Sequence, residues 1–478
     1  MDDMREFWKK AGLVGLGVAA GIMLSLNFSA VATREASLGL PLDDLRVMSD
    51  VFGKIKSDYV ENVADKKLIR EAINGMVAGL DPHSQFLDED AFKDLQTNTV
   101  GRYGGLGIEV NLEDGLIKVI TPMDDAPAAR AGILSGDKIY RVDDAEVRGL
   151  SLQKAIDKMK GPPGSKVVLR VLRPGQSDPL TFTVTRELIN VQSVKAKMVE
   201  PGYGWIHVRQ FQERTGEDLV KALKNLYKDG DLKGLVLDLR DDPGGLLHNA
   251  VAVSAAFLPQ DVLVVYTDGR IPEAKMRLTA NREHYLRGRS GSDYLKDVPP
   301  GAKTVPLTVL INSGSASASE IVAGALQDHK RATLIGTQTF GKGSVQSVLP
   351  LGQNIALKLT TARYYTPNGR SIQAKGIEPD FAVEQTSFDG RKSLVRVRES
   401  DLNGHLENDK LIVDAAKEHK AAIEAIEDGL VKQPPPVEKG SKDDYQLVQA
   451  LNYLKGQPIV PSTDKSPKTQ TAARNDKR

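Results

Sequence analysis

The chain has 478 residues, 40% of them hydrophobic and 27% charged, with a formal net charge of +1 and no cysteine. That length predicts several domains, and a near-zero charge argues against a nucleic-acid binder, which would carry a strong basic excess. Without cysteine there are no disulfides, thiolate metal sites, cysteine nucleophiles or cysteine-borne lipid anchors.

Residues 1–36 contain an uncharged run, Ala11 to Phe28, behind Lys9 and Lys10 and ahead of Arg34 and Glu35. As a helix it spans about 27 Å, just short of the ~30 Å hydrocarbon core of a membrane. It fits a signal peptide, with Ala30-Val31-Ala32 as a small-residue cleavage site, and equally a short membrane anchor. Either reading exports the rest of the chain and leaves the two lysines in the cytoplasm. The expected location is the bacterial periplasm or the outer face of the inner membrane.

Residues 37–100 read as a helical region. Leu45, Met48, Val51, Phe52, Ile55 and Tyr59 recur at three- and four-residue spacings and form one apolar stripe. Such a stripe packs on its own domain or serves as a dimerising arm. Asp81-Pro82-His83-Ser84 interrupts the pattern before a short helix through Phe92 and Leu95.

Residues 101–188 change to short strands and glycines. Gly104-Gly105-Leu106-Gly107-Ile108 leads a strand, and Leu116–Ile120, Val167–Leu172 and Leu180–Thr185 are further strands, with a helix from Leu152 to Met159. A glycine-rich turn entering a strand, opposite a helix, aims backbone N–H groups at a groove edge. There a peptide carboxylate can be captured while the peptide adds as a strand. With Ala126-Pro127-Ala128-Ala129-Arg130-Ala131-Gly132-Ile133-Leu134-Ser135-Gly136-Asp137, this stretch resembles a PDZ domain over about ninety residues.

Residues 189–390 alternate apolar runs with helical patterns. Leu235–Leu239 and Leu307–Ile311 read as buried strands; Gly245 onward and Ala316 to His329 read as the helices that follow. Strand–turn–helix units imply an α/β core containing βαβ units. Residues 268–303 are rich in charge and glycine and read as a surface insertion. Residues 391–456 are a charged helical region broken by Gln433-Pro434-Pro435-Pro436, and 457–478 a polar, disordered tail. The expected fold is multidomain α/β, with helical regions at both ends, a PDZ domain and an α/β hydrolytic core.

The chemistry lies in two segments of that core. Gly314-Ser315-Ala316-Ser317-Ala318-Ser319-Glu320 puts a serine among small residues where a strand turns into a helix, leaving room for a substrate backbone. A plain N-cap is the structural alternative for Ser317. Thr339-Phe340-Gly341-Lys342-Gly343-Ser344-Val345-Gln346 puts a lysine between glycines under a phenylalanine. A lysine can activate a serine only if burial lowers its pKa by about 3 units, roughly 4 kcal/mol. Gln346, two strand alternations on, faces the same side as Lys342 and can orient the amine without stabilising its charged form. The Ala318 N–H beside the nucleophile and the Gly244 N–H of Asp241-Asp242-Pro243-Gly244-Gly245 are candidate oxyanion donors.

Leu237–Gly245, Gly314–Glu320, Phe340–Gln346 and Gly376-Ile377-Glu378-Pro379-Asp380, with Asp81-Pro82-His83-Ser84 and the PDZ stretch, resemble the C-terminal processing peptidases, or tail-specific proteases. The likeness spans roughly residues 40 to 390. It implies Ser317 as nucleophile, Lys342 as base and Gln346 as its support, in a serine endopeptidase without metal or cofactor. It also implies a PDZ domain that binds nonpolar C-termini of protein substrates through Gly105, Leu106, Gly107 and Ile108 and gates proteolysis. An activating adaptor protein and self-assembly are further expectations; nucleic acid is not. The family more often carries asparagine where this chain has Asp241-Asp242.

Rival readings exist. His329 lies twelve residues beyond Ser317, about 18 Å along one helix, and His248 is a conceivable alternative base. Gly336–Lys342 begins like a phosphate-binding loop, but Gly343 stands where serine or threonine should hold magnesium, and a strand follows where a helix should. A PDZ scaffold with a latent or inactive hydrolase domain is the reading from another functional class.

Overall fold

The computed structural model describes residues 41–123, 125–286, 292–352, 354–385, 397–408 and 437–460. The expected signal or anchor segment and most of the C-terminal tail lie outside them, as does the 409–436 stretch of the charged helical region. Among the described residues no helix is long and apolar enough to cross a membrane.

The chain divides into two units, one ending at Gly75 and one starting at Met76. The first contains α1 (Leu42–Asp58) and most of α2 (Asp65–Ala78), with Lys56 paired to Asp65. None of the α1 residues is buried, and within its stripe Phe52 and Ile55 are the least exposed.

The second unit begins with β1 (Gln85–Leu87) and α3 (Glu89–Val100), whose N-terminus Asp88 caps by accepting the Ala91 N–H. β2 (Arg102–Gly105) pairs with β9 (Glu187–Asn190) and brackets a five-strand path. That path runs β3 (Ile108–Glu113), β4 (Leu116–Pro122), β5 (Lys138–Val142), β7 (Lys166–Leu172) and β8 (Leu180–Thr185), with β6 (Ala145–Glu146) on β5. α4 (Pro127–Arg130) and α5 (Leu152–Met159) complete this PDZ fold. Its core is built by alternate strand residues, including Ile117, Val119, Val167, Leu169 and Val171.

The α/β core is a six-stranded sheet in the order β10 (Val194–Glu200), β11 (Tyr203–Val208), β12 (Gly234–Asp238), β15 (Leu307–Ile311), β16 (Thr333–Gly336), β19 (Phe381–Ala382). β11, β12, β15 and β16 run parallel, β19 parallel to β16, and β10 antiparallel at the edge. Strands covered on both faces must be apolar at nearly every position, which is why β12 and β15 are apolar apart from Asp238 and Thr308. Leu235 and Leu237 pack toward α6 (Thr215–Leu226), α7 (Leu247–Phe257) and α9 (Ala318–Asp328). Val236 and Leu310 point the other way, onto Leu447, Ala450 and Leu451 of α10 (Tyr445–Leu454). Each such fully buried side chain contributes about 2 kcal/mol of transfer free energy.

A second sheet carries the lysine segment. β17 (Ser344–Gly352) and β18 (Ile355–Tyr365) form a long hairpin, with β1 and β13 (Leu263–Gly269) beside β18 and β14 (Arg277–Thr279) beyond. The 268–303 stretch, read as a surface insertion, also supplies part of the main core. Ala280 follows β14, Tyr285 and Leu286 close α8 (Arg282–Leu286), and all three are buried there. Its charged residues flank apolar anchors too sparse to show as a period.

Candidate active site

Parallel neighbours β12 and β15 end at the same side of the sheet, so the loops that follow them emerge together, as at the ligand-binding edge of α/β sheets. The first loop is 239–246, the second 312–317. They are laced to each other: Ala316 N–H donates to Asp242 C=O (2.9 Å), Ser319 Oγ to the same carbonyl (2.9 Å), and Ser315 Oγ to Leu239 C=O (2.7 Å).

Ser317 stands at the N-cap of α9 with φ +56° and ψ −112°, a conformation that costs a non-glycine residue about 1–3 kcal/mol. It is partly exposed, while Ala318, Ser319 and Glu320 behind it are buried. The strain is held by Glu320. Its carboxylate accepts Ser317 N–H (2.8 Å) and Lys342 N–H (2.9 Å) on Oε2, and Gly341 N–H (2.7 Å) and Thr339 Oγ1–H (2.6 Å) on Oε1. One buried side chain thus draws the Ser317 turn and the lysine loop together across a single oxygen. Burial pushes the Glu320 pKa up to about 7 against those four donors.

Lys342 sits at the mouth of the β17–β18 hairpin. Burial, then the neighbouring Lys358, push its pKa down to about 8, against the opposing pull of Glu399, Glu320 and Asp81. Gly343 is there because a side chain would not fit: a Cβ would meet Gln373 N at 2.3 Å. Tyr364, on β18, donates its hydroxyl to Lys342 C=O and is also hydrogen-bonded to the Ser317 side chain. Gln346 follows on β17 as expected, but its amide donates to Ser344 Oγ (3.0 Å) and Thr360 Oγ1 (3.2 Å). Among the described residues no hydrogen bond joins it to Lys342. Thr360 in turn reaches Asp81 (3.1 Å), whose other oxygen takes Ser84 Oγ–H (2.6 Å). Burial pushes the Asp81 pKa up, but hydrogen bonds from Ser84, His83 and Thr360 outweigh it and hold the group below the usual carboxylate range. The Asp81–Ser84 loop therefore holds Thr360 of β18, a residue that accepts the Gln346 amide N–H. His83 pairs with Glu399 (2.7 Å), which binds Gln373 (2.8 Å).

The two expected oxyanion donors differ. Ala318 is the first helical residue, so its N–H has no carbonyl within the helix. It lies 2.8 Å from the point a Cβ on Gly244 would occupy, an opening that glycine alone keeps clear. Gly244 N–H, by contrast, is donated to Asp242 Oδ1 at 2.8 Å. The Asp242 side chain folds back on the backbone two residues ahead, as aspartate does in turns, and captures the donor. Asp242 is fully buried, and that burial pushes its pKa well above the carboxylate range against the hydrogen bonds of Gly244 and Ser319.

Both histidine rivals have partners of their own. His329 Nε2 bonds Leu263 C=O (2.7 Å) and His248 Nε2 lies 3.3 Å from the Asn249 amide. In the PDZ fold, Gly105, Leu106, Gly107 and Ile108 line one cavity of about 230 Å³, bounded across by Ile156 and Met159 of α5. Gly107 has φ +69°, and a Cβ on it would strike the Ala126 Cβ at 2.3 Å.

Glu320 was within reach of the sequence, since Ser-x-x-Glu at a helix start is the capping-box spacing. Tyr364, Lys358 and Glu399 carry no local signal; only the hairpin and the chain return bring them to Lys342.

An α/β core with a strained serine turn at its strand ends and a PDZ fold ahead of it has the architecture of a PDZ-bearing peptidase. Residues 202–383 match the model of peptidase family S41, residues 104–185 the PDZ domain and residues 24–91 the N-terminal domain of the activating protease CtpB. The chain is 44% identical to the carboxy-terminal-processing protease of Bartonella bacilliformis, over 85% of this chain and 87% of that one. It is 33% identical to the carboxy-terminal processing protease CtpB of Bacillus subtilis, over 78% and 76%. Among solved structures, the photosystem II D1 C-terminal processing protease aligns with a TM-score of 0.40 and 30% identity, over 68% of this chain and 84% of that one. The chain belongs to the carboxy-terminal-processing protease family, a family of PDZ-containing peptidases acting on C-terminal regions of proteins.

Proposed function

We propose that the protein is an exported serine endopeptidase that works by a Ser317–Lys342 dyad on protein substrates selected by their nonpolar C-termini. The neutral Lys342 amine takes the Ser317 proton as Oγ attacks the scissile carbonyl, and returns it to the departing amine. Water then hydrolyses the acyl-serine by the same exchange. Ala318 N–H faces the developing oxyanion, and Gly244 N–H joins it once Asp242 lets go. Gln346 steadies the strand that follows the base. The observation that carries this reading is the Glu320 carboxylate shared by Ser317 N–H and Lys342 N–H, which sets nucleophile and base in one register.

The captured Gly244 N–H supports a second element of the proposal, a resting enzyme switched on by substrate in the PDZ groove or by an adaptor. A form of the chain starting near Ser37 would be given an unfolded protein with an apolar tail, with and without membrane extract. Wild type is expected to cleave, with extract increasing the rate, while Ser317→Ala and Lys342→Ala do not. Equal cleavage by Lys342→Ala would move the base elsewhere, and no cleavage under either condition would favour a scaffold.

A further inference from the structure

The turn that carries Gly244 is held from outside the matched protease segment. Arg240, which enters the turn just after β12, is buried with its guanidinium between two buried carboxylates. It binds Asp238 through Nε (2.9 Å) and Nη2 (2.6 Å), and Asp444 through Nη1 (2.8 Å) and Nη2 (2.6 Å). Asp444 lies 204 residues downstream of Arg240. It caps the N-terminus of α10 and is itself fixed by Gly440 N–H (2.9 Å). Five residues before Asp444, the Lys439 ammonium reaches back to Arg240 C=O (2.7 Å) and Asp241 Oδ2 (2.9 Å).

From Asp241 the contacts continue to the nucleophile. Asp241 sits at φ +55° and donates its N–H to Asn312 Oδ1 (2.9 Å), while Asn312 Nδ2 donates back to Asp241 Oδ1 (3.0 Å). The same Asn312 oxygen accepts Gly314 N–H (2.9 Å), three residues before Ser317. A strained residue such as Asp241 persists only where its surroundings over-determine it. The docking of α10 is already served by Leu447, Ala450 and Leu451 on the sheet. The polar groups ahead of that helix converge instead on the turn.

We infer that Lys439 and Asp444 are positioning residues for catalysis, a clamp from the C-terminal segment that sets the path of the 240–245 turn beside Ser317. The inference rests on reading that turn as part of the active site. A donor misplaced by about 1 Å costs on the order of a hundredfold in rate, so loosening the clamp should lower kcat and leave KM nearly alone.

The test uses the full chain and four variants: Lys439→Met, Lys439→Arg, Asp444→Asn and Ser317→Ala. Cleavage of an unfolded protein with an apolar tail gives kcat and KM, and thermal melting reports folding. Lys439 is partly exposed, so Lys439→Met should stay folded. Its kcat is expected to fall roughly ten- to hundredfold, with KM within about twofold, and Lys439→Arg should recover most of the loss. Asp444→Asn should show the same split with a lower melting temperature. Wild-type kcat in folded Lys439→Met, with Ser317→Ala inactive, would overturn the clamp and leave the dyad standing. Activity in Ser317→Ala would overturn the dyad, and the clamp with it.

Discussion

Glu320 is buried and Lys342 partly so, and their pKa values converge, near 7 and 8, because loss of solvent disfavours the charge on each. In the proposed dyad the base works only when Lys342 is neutral, and the register of the two loops relies on an unprotonated Glu320. The pH profile of kcat/KM should therefore rise through two ionisations. Its acid limb should approach a slope of about two below pH 7 and flatten above pH 8. As a coupled pair they will show apparent values that belong to both groups. A single ionisation near about pH 6.5 would point to histidine instead.

The same lysine has a stability consequence. Its folded pKa is depressed, so the folded state binds fewer protons than the unfolded chain between about pH 8 and 10.5, and stability rises with pH across that window. Below pH 8 the full cost of the buried charge is present, up to about 3 kcal/mol. Lys342→Met should accordingly be more stable than wild type at about pH 7. The gain should shrink as pH climbs from 8 toward 10.5, measured by urea unfolding at several pH values. A destabilised Lys342→Met at neutral pH would mean that the amine is well solvated or paired in the folded state.

Among strands and helices, the site is made where two parallel strands stop. β12 and β15 were legible as largely apolar runs, with Asp238 and Thr308 the exceptions, because both faces of each are covered. α9 was legible too, though it begins at Ala318 rather than Ala316, since Ser317 adopts positive φ. The contact between the two loops was not legible. Gly244 illustrates it: with φ +95°, a Cβ there would lie 2.6 Å from Ala316 C=O and 2.8 Å from Ser317 Cβ. Gly244→Ala should thus lose about 2–3 kcal/mol of stability and roughly a hundredfold or more in kcat. Near-normal kinetics would show that the loops have room to separate.

Across the second unit, the PDZ cavity touches the protease core directly. Beyond its glycine loop it is lined by Asn98 and Gly101 from the α3 end and by Gln212 of the core. Gln212 Nε2 donates to Asn98 C=O (3.2 Å), and a Cβ on Gly101 would collide with Gln212 Oε1. On the proposed mode of binding, a peptide adding beside β3 would end near this junction, which would give the substrate tail a physical route to the core. Removing the apolar last residues of a substrate should lower kcat/KM roughly tenfold or more in wild type, and much less in Gln212→Ala. An equal loss in both would leave Gln212 as packing alone.

What could be read along the chain was local. The paired strands, the PDZ glycine turn, the serine at a helix start and the lysine between glycines are each set by neighbours within a few residues. Which groups meet depended on folding. Glu320 joining the serine to the lysine, Asp242 holding Gly244 N–H, and Arg240 gripped by Asp444 all arise from side-chain geometry or long sequence separation. Burial accounts for the rest: the pKa of Lys342 depends on how much solvent the folded chain removes from it, and spacing along a sequence does not record that.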